Sequence, residues 1–407
     1  MTESAAHTTD LLAGIRVLDL SRVLAGPLCS QYLADMGAEV IKVEPAAGGD
    51  ETRGWPPFRD GEGAVFLSLN RNKRSLALDL KRAEGRAVVH RLAARSDVVI
   101  ENYAEGVAAR LGVSHADLEP LNPRLVYCSI SGFGRAGPLS HVPAYDVVLQ
   151  AFCGMMSLTG EPGSGPIRSP FSPIDQTTGM HALAGILAAL LRAERTGVGA
   201  FLEVSLFDSA LGLLAYQLQS FWETGRLPAK NGSRHLSMCP YQAFEASDGP
   251  FLLAIANEGQ WQRFCQAAGA PQLADDPRFV TNAERVANYP ETVAAVQAIL
   301  STRTGEEWLR ALAAVRVPCS PIKTLAEVLA HPHTLARDIV QAYGHPRLGR
   351  MNGVMQPVVV DEAPRRVRHA PPGHGQHSRE ILREAGYPDR EIDALVGSGA
   401  VFAGGPS

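Results

Sequence analysis

The architecture of the first part of the chain follows from GIRVLDLSRVLAGPLCSQYLADMGAEVIKVEP, residues 14–45. Its apolar runs GIRVLDL and EVIKVEP each predict a buried strand. SRVLAGP between them is typical of a turn, and Pro27 is suited to the first position of a following helix. The resulting β–α–β unit implies parallel strands joined by a right-handed crossover. The loop Ser21–Gly26 follows the first strand, and open α/β sheets bind ligands at the carboxyl ends of their strands.

Strands and helices continue to alternate after this unit. Further strands are predicted at SLALDL, DVVIEN and RLVYCSI, with helix-forming segments between them. Repeated alternation is typical of a doubly wound parallel sheet. In that topology, segments far apart in sequence lie along one edge of the sheet: Ser21–Ala25, Lys81, Asn102–Tyr103 and Ser131–Gly134.

A chain of 407 residues is too long for one ordinary core, so we expect two domains. LPAKNGSRHLSMCP has the Gly, Pro, Asn and Ser content of a linker. After it, YQAFEASDGPFLLAIA predicts a hairpin with an Asp-Gly turn, and three helices follow. We therefore expect a large domain over 10–225 and an inserted, smaller α+β domain over 230–330. Segment 335–407 is expected to return to the large domain and to end in two short helices.

The composition is that of a globular protein, with 45% hydrophobic and 20% charged residues. There are 42 acidic and 38 basic residues, a balance that argues against a general nucleic-acid or membrane surface. The six cysteines are scattered and form no CxxC pair. Together with a polar N-terminus, MTESAAHTTD, that lacks an apolar signal region, they predict reduced thiols and a cytoplasmic location.

SPFSPIDQTTGMHALAGILAALLRAER, residues 169–195, predicts a long apolar helix that begins just after Asp175. Two roles are open for Asp175. It is either an N-cap that accepts hydrogen bonds from the first backbone N–H groups, or a nucleophile that the helix dipole keeps ionised and aligned. Asp146, in PAYDVV at another predicted helix start, is likewise either a cap or a second polar group facing Asp175.

Three other motifs are weaker. GFGRAG (132–137) matches GxGxxG, but Pro138 and an irregular segment follow where a dinucleotide fingerprint continues into a helix. NRNKRS (70–75) is either a solvated loop or a phosphate-binding cluster. The histidine groups HPH and HGQH lack metal-site spacing, and the sequence has no GxSxG elbow.

Pieces along nearly the whole chain resemble the class III CoA-transferases, the family of formyl-CoA transferase and the carnitine CoA-transferases. The matching pieces, in order, are GIRVLDLSRVLAGP, GAEVIKVEP, NRNKRSLALDLK, DVVIENY with Arg110, NPRLVYCSISGFG, PAYD, the DQTTG that starts with Asp175, RTGVGAFLEVSLFDSAL, PYQAFEASDG, DPRF with Asn282 and Arg285, and VPCSPI.

The resemblance implies a CoA-transferase with a Rossmann-like large domain. It also implies an interlocked homodimer in which each subunit is a ring threaded through the other. Asp175 falls on the nucleophilic aspartate of the family, and Asp146 is the second catalytic candidate. Coenzyme A is implied as a substrate, with no tightly bound cofactor and no metal. The residues that fall on CoA-binding positions are Leu24, Ala25, Leu78, Lys81, Asn102, Tyr103, Arg110 and Tyr145.

The sequence departs from formyl-CoA transferase at Pro45 and Pro143, which replace a CoA-binding arginine and a lysine, and at NGSRHLSMCP, which replaces a glycine-rich loop. The α-methylacyl-CoA racemases of the same family have a histidine where Tyr145 stands. With an unperturbed pKa near ~10, tyrosine is a poor acid or base for racemisation, which favours transfer. A nicotinamide oxidoreductase and a non-catalytic CoA-binding subunit are the alternatives from other classes.

The chain looks most like the branch that uses succinyl-CoA and a dicarboxylate such as glutarate, malate, mesaconate or itaconate. Arg234 and His235 are candidates to meet a distal carboxylate. Lys81 and Arg110 are expected to contact the CoA phosphates, and N–H groups near Thr177–Gly179 to stabilise oxyanions. The expected partners are an acyl-CoA, a small carboxylic acid and a second copy of the chain, with no nucleic acid and no membrane.

Overall fold

The computed structural model describes residues 10–404, so nearly all of the polar tail predicted at the N-terminus lies outside the described residues. Up to residue 153, strands and helices alternate. In chain order, the elements are β1 (Arg16–Asp19), α1 (Ala25–Asp35), β2 (Glu39–Pro45), a 3₁₀ turn (Glu51–Gly54), β3 (Phe58–Arg59), β4 (Glu62–Gly63), α2 (Ala64–Leu69), β5 (Lys73–Leu78), α3 (Ala83–Ala93), β6 (Val98–Glu101), α4 (Val107–Arg110), α5 (His115–Leu118), a second 3₁₀ turn (Glu119–Leu121), β7 (Val126–Ser131) and α6 (Asp146–Phe152).

The rest of the described chain contains one long helix and many shorter elements. They are α7 (Met155–Leu158), α8 (Pro173–Thr196), β8 (Ala200–Ser205), α9 (Leu206–Leu213), α10 (Ala215–Thr224), β9 (Tyr241–Ala246), β10 (Gly249–Ala254), α11 (Glu258–Ala267), α12 (Gln272–Asp275), α13 (Asn282–Ala287), α14 (Tyr289–Leu300), α15 (Gly305–Ala314), β11 (Cys319–Pro321), α16 (Leu325–Ala330), α17 (Pro332–Ala336), β12 (Val340–His345), β13 (Gly349–Val354), α18 (Ser378–Glu384), α19 (Asp389–Gly397) and β14 (Val401–Phe402).

The described chain divides into two compact units, each assembled from separate segments. The first unit comprises 10–153, 169–219 and 333–404. The second comprises 154–168 and 220–332.

The first unit is built on a seven-stranded sheet with the order β14-β5-β2-β1-β6-β7-β8. All neighbouring strands are parallel except β14, which pairs antiparallel with β5. The predicted α/β fold with a large parallel sheet is thereby confirmed. Because the strand order reverses between β1 and β6, the loops after these two strands lie at the point where open α/β sheets bind ligands.

The core of the first unit joins the sheet to helices from both ends of the chain. Strand residues Leu18 and Val99 are fully buried and belong to one apolar cluster with Val88 of α3. Ile381 of α18 and Val401 of β14 belong to the same cluster. The last segment of the chain therefore packs against the sheet, and β14 extends it by one strand.

The second unit has its own core. Strands β9, β10 and β11 form a three-stranded antiparallel sheet, which includes the predicted hairpin. Trp261, Phe264 and Trp308 are buried against Phe251 of this sheet. The burial of several aromatic side chains contributes strongly to the stability of so small a unit.

The segment NRNKRS is neither a solvated loop nor a phosphate-binding cluster, the two roles that its charge predicts. Arg71 forms an ion pair with Asp35 at 2.5 Å, and the fully buried Lys73 ammonium lies 3.3 Å from Asp19. Arg74 pairs with glutamates of β2 and α18. Burial lowers the pKa of Lys73 to about 8. These cations are paired with carboxylates of the chain itself, so both the solvated-loop and the phosphate-binding interpretations are wrong.

Within residues 10–404, no helix is long and apolar enough to cross a membrane. All six cysteines are unpaired thiols.

Candidate functional site

Two neighbouring cavities lie at the carboxyl ends of the parallel strands in the first unit. The smaller one, about 240 Å³, is lined by the loops after β1, β6 and β7 and by Asp175 of α8. The larger one, about 850 Å³, is lined by residues that follow β1, β2 and β5 and by the end of the chain near Phe402. We call them the Asp175 cavity and the Lys81 cavity. Arg22 and Tyr103 line both, so the two cavities adjoin there.

Most of the residues singled out in the sequence line one of these cavities. The Asp175 cavity contains Leu24, Ala25, Asn102, Tyr103, Tyr145 and Asp175. The Lys81 cavity contains Leu78, Lys81 and Tyr103. Arg110, the last residue of α4, is exposed and lines neither cavity. Asp146 is buried and does not line the Asp175 cavity.

The start of α8 differs from the prediction. The helix begins at Pro173, so Asp175 lies in its first turn and does not precede it. The N-cap residue is Ser172, whose side chain makes no capping hydrogen bond. Within residues 10–404, the Asp175 carboxylate has no hydrogen-bond donor, and the prediction that it caps the helix is wrong. The carboxylate is left available to the cavity that it lines.

Asp146 caps α8 in its place. One carboxylate oxygen of Asp146 accepts the backbone N–H groups of Ile174, at 2.8 Å, and Asp175, at 3.0 Å. Its other oxygen accepts a hydrogen bond from the Gln150 side chain. Asp146 is only 5% exposed. It is a cap, as one of its two interpretations predicted, but for α8 rather than for its own helix.

The environment of Asp175 raises its pKa to about 7, first through burial and then through the negative charge of Asp146. This raised pKa runs against the prediction that the helix dipole keeps the carboxylate ionised. The N–H groups nearest to it already bond a full negative charge, which offsets the positive end of the helix.

The oxyanion donors predicted at Thr177–Gly179 are also misplaced. In a helix that begins at Pro173, these N–H groups belong to the second turn and donate to carbonyls four residues earlier. The first turn of α1 offers an alternative. Its N-cap Leu24 makes no side-chain capping bond, and both Leu24 and Ala25 line the Asp175 cavity. The first N–H groups of a helix lack intrahelical acceptors.

The loop between β1 and α1 is held firmly. The Asn102 side chain accepts the Arg22 N–H at 2.9 Å and donates to the Arg22 carbonyl at 2.7 Å. Val23, which follows, has a φ of 71°. A β-branched residue in this left-handed region is strained, and such strain persists only where the surroundings impose it. The loop that faces Asp175 therefore has a defined conformation.

Two residues that shape the site, Gln150 and Arg135, are not predicted from the sequence. Gln150 links Asp146 to the segment before α8, because its side-chain amide donates to Asp146 and its side-chain oxygen accepts the Ser169 N–H at 2.8 Å. The Arg135 guanidinium donates to the Tyr103 carbonyl and to Glu101 at 2.8 and 2.9 Å, which ties the loops after β6 and β7 together. Arg135 lies in the GFGRAG motif, but the motif alone carries no sign of this role.

The arrangement fits nucleophilic chemistry. A carboxylate that titrates near neutral pH lies in a small cavity beside a large one with extensive apolar walls. Within the described residues, no group of three or more His, Cys, Asp or Glu side chains could hold a metal ion. After Gly137 of GFGRAG the next helix starts only at Asp146, so the helix of a dinucleotide fingerprint does not follow this motif.

Comparison with known families gives one match over most of the chain. Residues 12–378 match the model described as CoA-transferase family III.

Three relatives illustrate the similarity. Succinate–glutarate CoA-transferase of Agrobacterium fabrum is 40% identical over 384 residues, covering 92% of this chain and 95% of that protein. Acetyl-CoA:oxalate CoA-transferase of Acetobacter aceti is 40% identical over 345 residues, covering 84% of this chain and 87% of that protein. The crystal structure of a CAIB/BAIF family protein from Brucella suis is 37% identical, with a TM-score of 0.79, covering 92% of this chain and 99% of that one.

Proposed function

The chain belongs to CoA-transferase family III, and from that premise we propose that it moves CoA from an acyl-CoA to a dicarboxylic acid through covalent intermediates on Asp175. The observation that carries the proposal is the placement of Asp175. Its carboxylate lacks a hydrogen-bond donor within residues 10–404 and lines a cavity that adjoins one large enough for a nucleotide. Burial of a carboxylate removes water that would otherwise compete with it as a nucleophile.

The names of the relatives support the substrate class. Glutarate and oxalate are both dicarboxylic acids. The first name pairs glutarate with succinate, and the second pairs oxalate with acetyl-CoA. We propose succinyl-CoA as the donor and a dicarboxylate as the acceptor. Acetyl-CoA and oxalate are the alternative donor and acceptor to be compared with them.

In the first half-reaction, an Asp175 oxygen attacks the thioester carbonyl of the acyl-CoA. The carbon–sulfur bond breaks, which leaves an acyl–aspartyl anhydride and CoA thiolate. The thiolate then attacks the Asp175 carbonyl. This step releases the donor acid as a carboxylate and leaves CoA bound to Asp175 as a thioester.

The second half-reaction repeats these steps with the acceptor. Its carboxylate attacks the Asp175 thioester and expels CoA thiolate, giving a new anhydride. The thiolate attacks the acceptor carbonyl, forms the new acyl-CoA and returns Asp175 as a carboxylate. Each step exchanges one activated acyl bond for another, so the sequence needs no external energy source.

Each attack places negative charge on a carbonyl oxygen, which needs hydrogen-bond donors. We propose that the N–H groups at the start of α1, at Leu24 and Ala25, supply them. Asp146 is a positioning residue in this scheme, because it bonds the backbone of Asp175 and not the substrate.

The family also carries the expectation of an interlocked homodimer and a Rossmann-like arrangement of the large domain. The reversal of strand order at β1 supports the second expectation. The first requires a measurement of the oligomeric state.

An exchange assay tests the proposed function. Succinyl-CoA or acetyl-CoA is mixed with glutarate, oxalate or a monocarboxylic acid, and the CoA products are identified by mass spectrometry. We expect succinyl-CoA with a dicarboxylate to give the new acyl-CoA. Asp175→Ala should lower turnover by about 10⁴-fold or more while CoA binding is retained.

Borohydride or hydroxylamine added during turnover should modify Asp175, since both react with an activated acyl group. A modification found at another residue would move the nucleophile there. Exchange of the α-hydrogen of a branched acyl-CoA with deuterated water, without CoA transfer, would instead favour the racemase alternative. The exposed Tyr145 in place of a histidine argues against that outcome.

A further inference from the structure

Arg22 holds a position that no other cation shares. Within residues 10–404, it is the one lysine or arginine that lines both the Asp175 cavity and the Lys81 cavity. A molecule that extends from one cavity into the other must pass this side chain.

The guanidinium of Arg22 is uncommitted. Among the described residues, no carboxylate oxygen lies within 4.0 Å of it. The guanidinium instead lies over the ring of Tyr103, whose centroid is 5.7 Å from the central guanidinium carbon. Two other arginines near the strand ends behave differently. Arg53 pairs with Glu44 at 2.7 Å, and Arg135 pairs with Glu101 at 2.9 Å. Arg22 therefore retains all five of its N–H donors for a ligand.

The acids around the Lys81 cavity do not neutralise Arg22. Glu44 is bound by Arg53 and accepts the Asp50 N–H. Asp79 accepts the Lys81 N–H at 3.0 Å. Pro45, at the end of β2, contributes no charge. Glu51 and Glu105 line the Asp175 cavity, and neither they nor Glu44 and Asp79 form an ion pair with Arg22 among the described residues.

The backbone of Arg22 is fixed as well. Asn102 binds both its N–H and its carbonyl, and the next residue, Val23, is held in a left-handed conformation. A side chain that starts from a fixed backbone loses less freedom when it binds a ligand, which makes it an effective anchor.

We propose that Arg22 binds the 5′-diphosphate of CoA at the junction of the two cavities; the inference rests on the proposed CoA site. The apolar walls of the Lys81 cavity, which include Val43, Leu111 and Phe402, suit the adenine ring. The reactive thioester must reach Asp175. The part of CoA between these two ends is the diphosphate followed by the uncharged pantetheine chain, so the anion at the junction is the diphosphate.

Calorimetric binding of CoA and of 3′-dephospho-CoA tests the assignment. Both ligands keep the 5′-diphosphate, and only CoA has the 3′-phosphate. Arg22→Gln should weaken both by the same factor, about ten- to a hundred-fold. Arg22→Lys should restore part of the loss, since an ammonium still pairs with a phosphate. Arg82→Gln is the matched control, because Arg82 is near Lys81 but lines neither cavity, and it should bind both ligands normally.

Three results would overturn the inference: unchanged affinity in Arg22→Gln, a loss confined to CoA, or a loss in Arg22→Lys as large as in Arg22→Gln together with a lowered melting temperature. The first would leave Arg22 without a phosphate contact. The second would assign it to the 3′-phosphate, and the third would give it a structural role. If the unaltered protein transfers CoA in the exchange assay, such a result removes only this inference. If that protein binds neither ligand, the proposed function fails as well.

Discussion

The carboxylate of Asp175 experiences two opposing influences. The first turn of a helix favours a negative charge, whereas burial and a neighbouring carboxylate disfavour it. In this site the second influence prevails, because Asp146 takes the two backbone N–H groups that would otherwise stabilise Asp175. The pKa of Asp175 rises to about 7. A carboxylate with a raised pKa is also a stronger base, which suits the proposed role of Asp175 as the nucleophile.

The activity should therefore depend on pH near neutrality. Asp175 reacts only when it is deprotonated, and its pKa lies above its ordinary value. Activity should be half-maximal near pH 7, approach its full value about one pH unit above that, and fall about tenfold per pH unit well below it. The measurement is kcat/KM for the acyl-CoA between pH 5 and pH 9, since this parameter reports the ionisation of the free enzyme.

Asp146→Asn separates this ionisation from that of the CoA phosphates. The substitution removes the neighbouring negative charge but keeps an oxygen that can cap α8. It should lower the pKa of Asp175 and move the acidic limb of the profile to lower pH. A limb that stays in place in this variant would mean that another group titrates there.

At the scale of the element, the position of Asp175 depends on how closely α8 approaches α1. A Cβ added to Gly179 of α8 would lie 2.7 Å from the carbonyl oxygen of Ala25 in α1. Backbone cannot move away as a flexible side chain does. Gly179 thus allows the contact that brings the first turn of α8 beside the loop carrying Leu24.

Gly179→Ala should push the two helices apart. Alanine is the better helix former by about 1 kcal/mol, but we expect the clash to exceed this gain and to destabilise the protein by about 1–3 kcal/mol. The shift should also lower kcat, because Asp175 is one turn away. Urea unfolding and the exchange assay measure the two effects.

Gly185→Ala in the same helix is the control. A Cβ at Gly185 would meet only a Leu202 methyl group at 3.5 Å, an ordinary contact. This variant should be as stable as the unaltered protein or more so. If the two alanine variants were equally stable, the close approach at Gly179 would not matter.

The local sequence predicts some of these strands and helices but not others. Strands such as β1, β6 and β7 follow from local apolar runs, and the loops after them line the two cavities as the parallel topology requires. The start of α8 could not be predicted locally, because its cap is Asp146, 28 residues earlier than Ile174. The burial of NRNKRS also depends on distant partners, such as Glu380 for Arg74. Sequence periodicity carries no information on such pairs.

At the scale of the whole molecule, large apolar side chains remain exposed in each unit. Tyr216 of the first unit is 66% exposed, and Leu227 and Leu325 of the second are 81% and 84% exposed. Single exposed apolar residues are normal. In α16, however, Leu325, Val328 and Leu329 are 84%, 43% and 53% exposed and lie on one face of the helix, and a contiguous apolar face is typical of a surface that a partner covers. They agree with the proposed homodimer, in which a second copy of the chain is the partner.

Interlocking makes a prediction that simple dimerisation does not. Two ordinary dimers exchange subunits by dissociating, whereas rings threaded through one another separate only if a chain unfolds.

We expect light scattering to give a dimer. Purified tagged and untagged dimers, mixed under native conditions, should form no mixed species in native mass spectrometry over several days. Co-expression of the two forms, or joint unfolding and refolding, should give mixed dimers readily. Mixed dimers that appear under native conditions at the rate of ordinary dissociation would rule out threading, and a monomer in light scattering would rule out the homodimer itself.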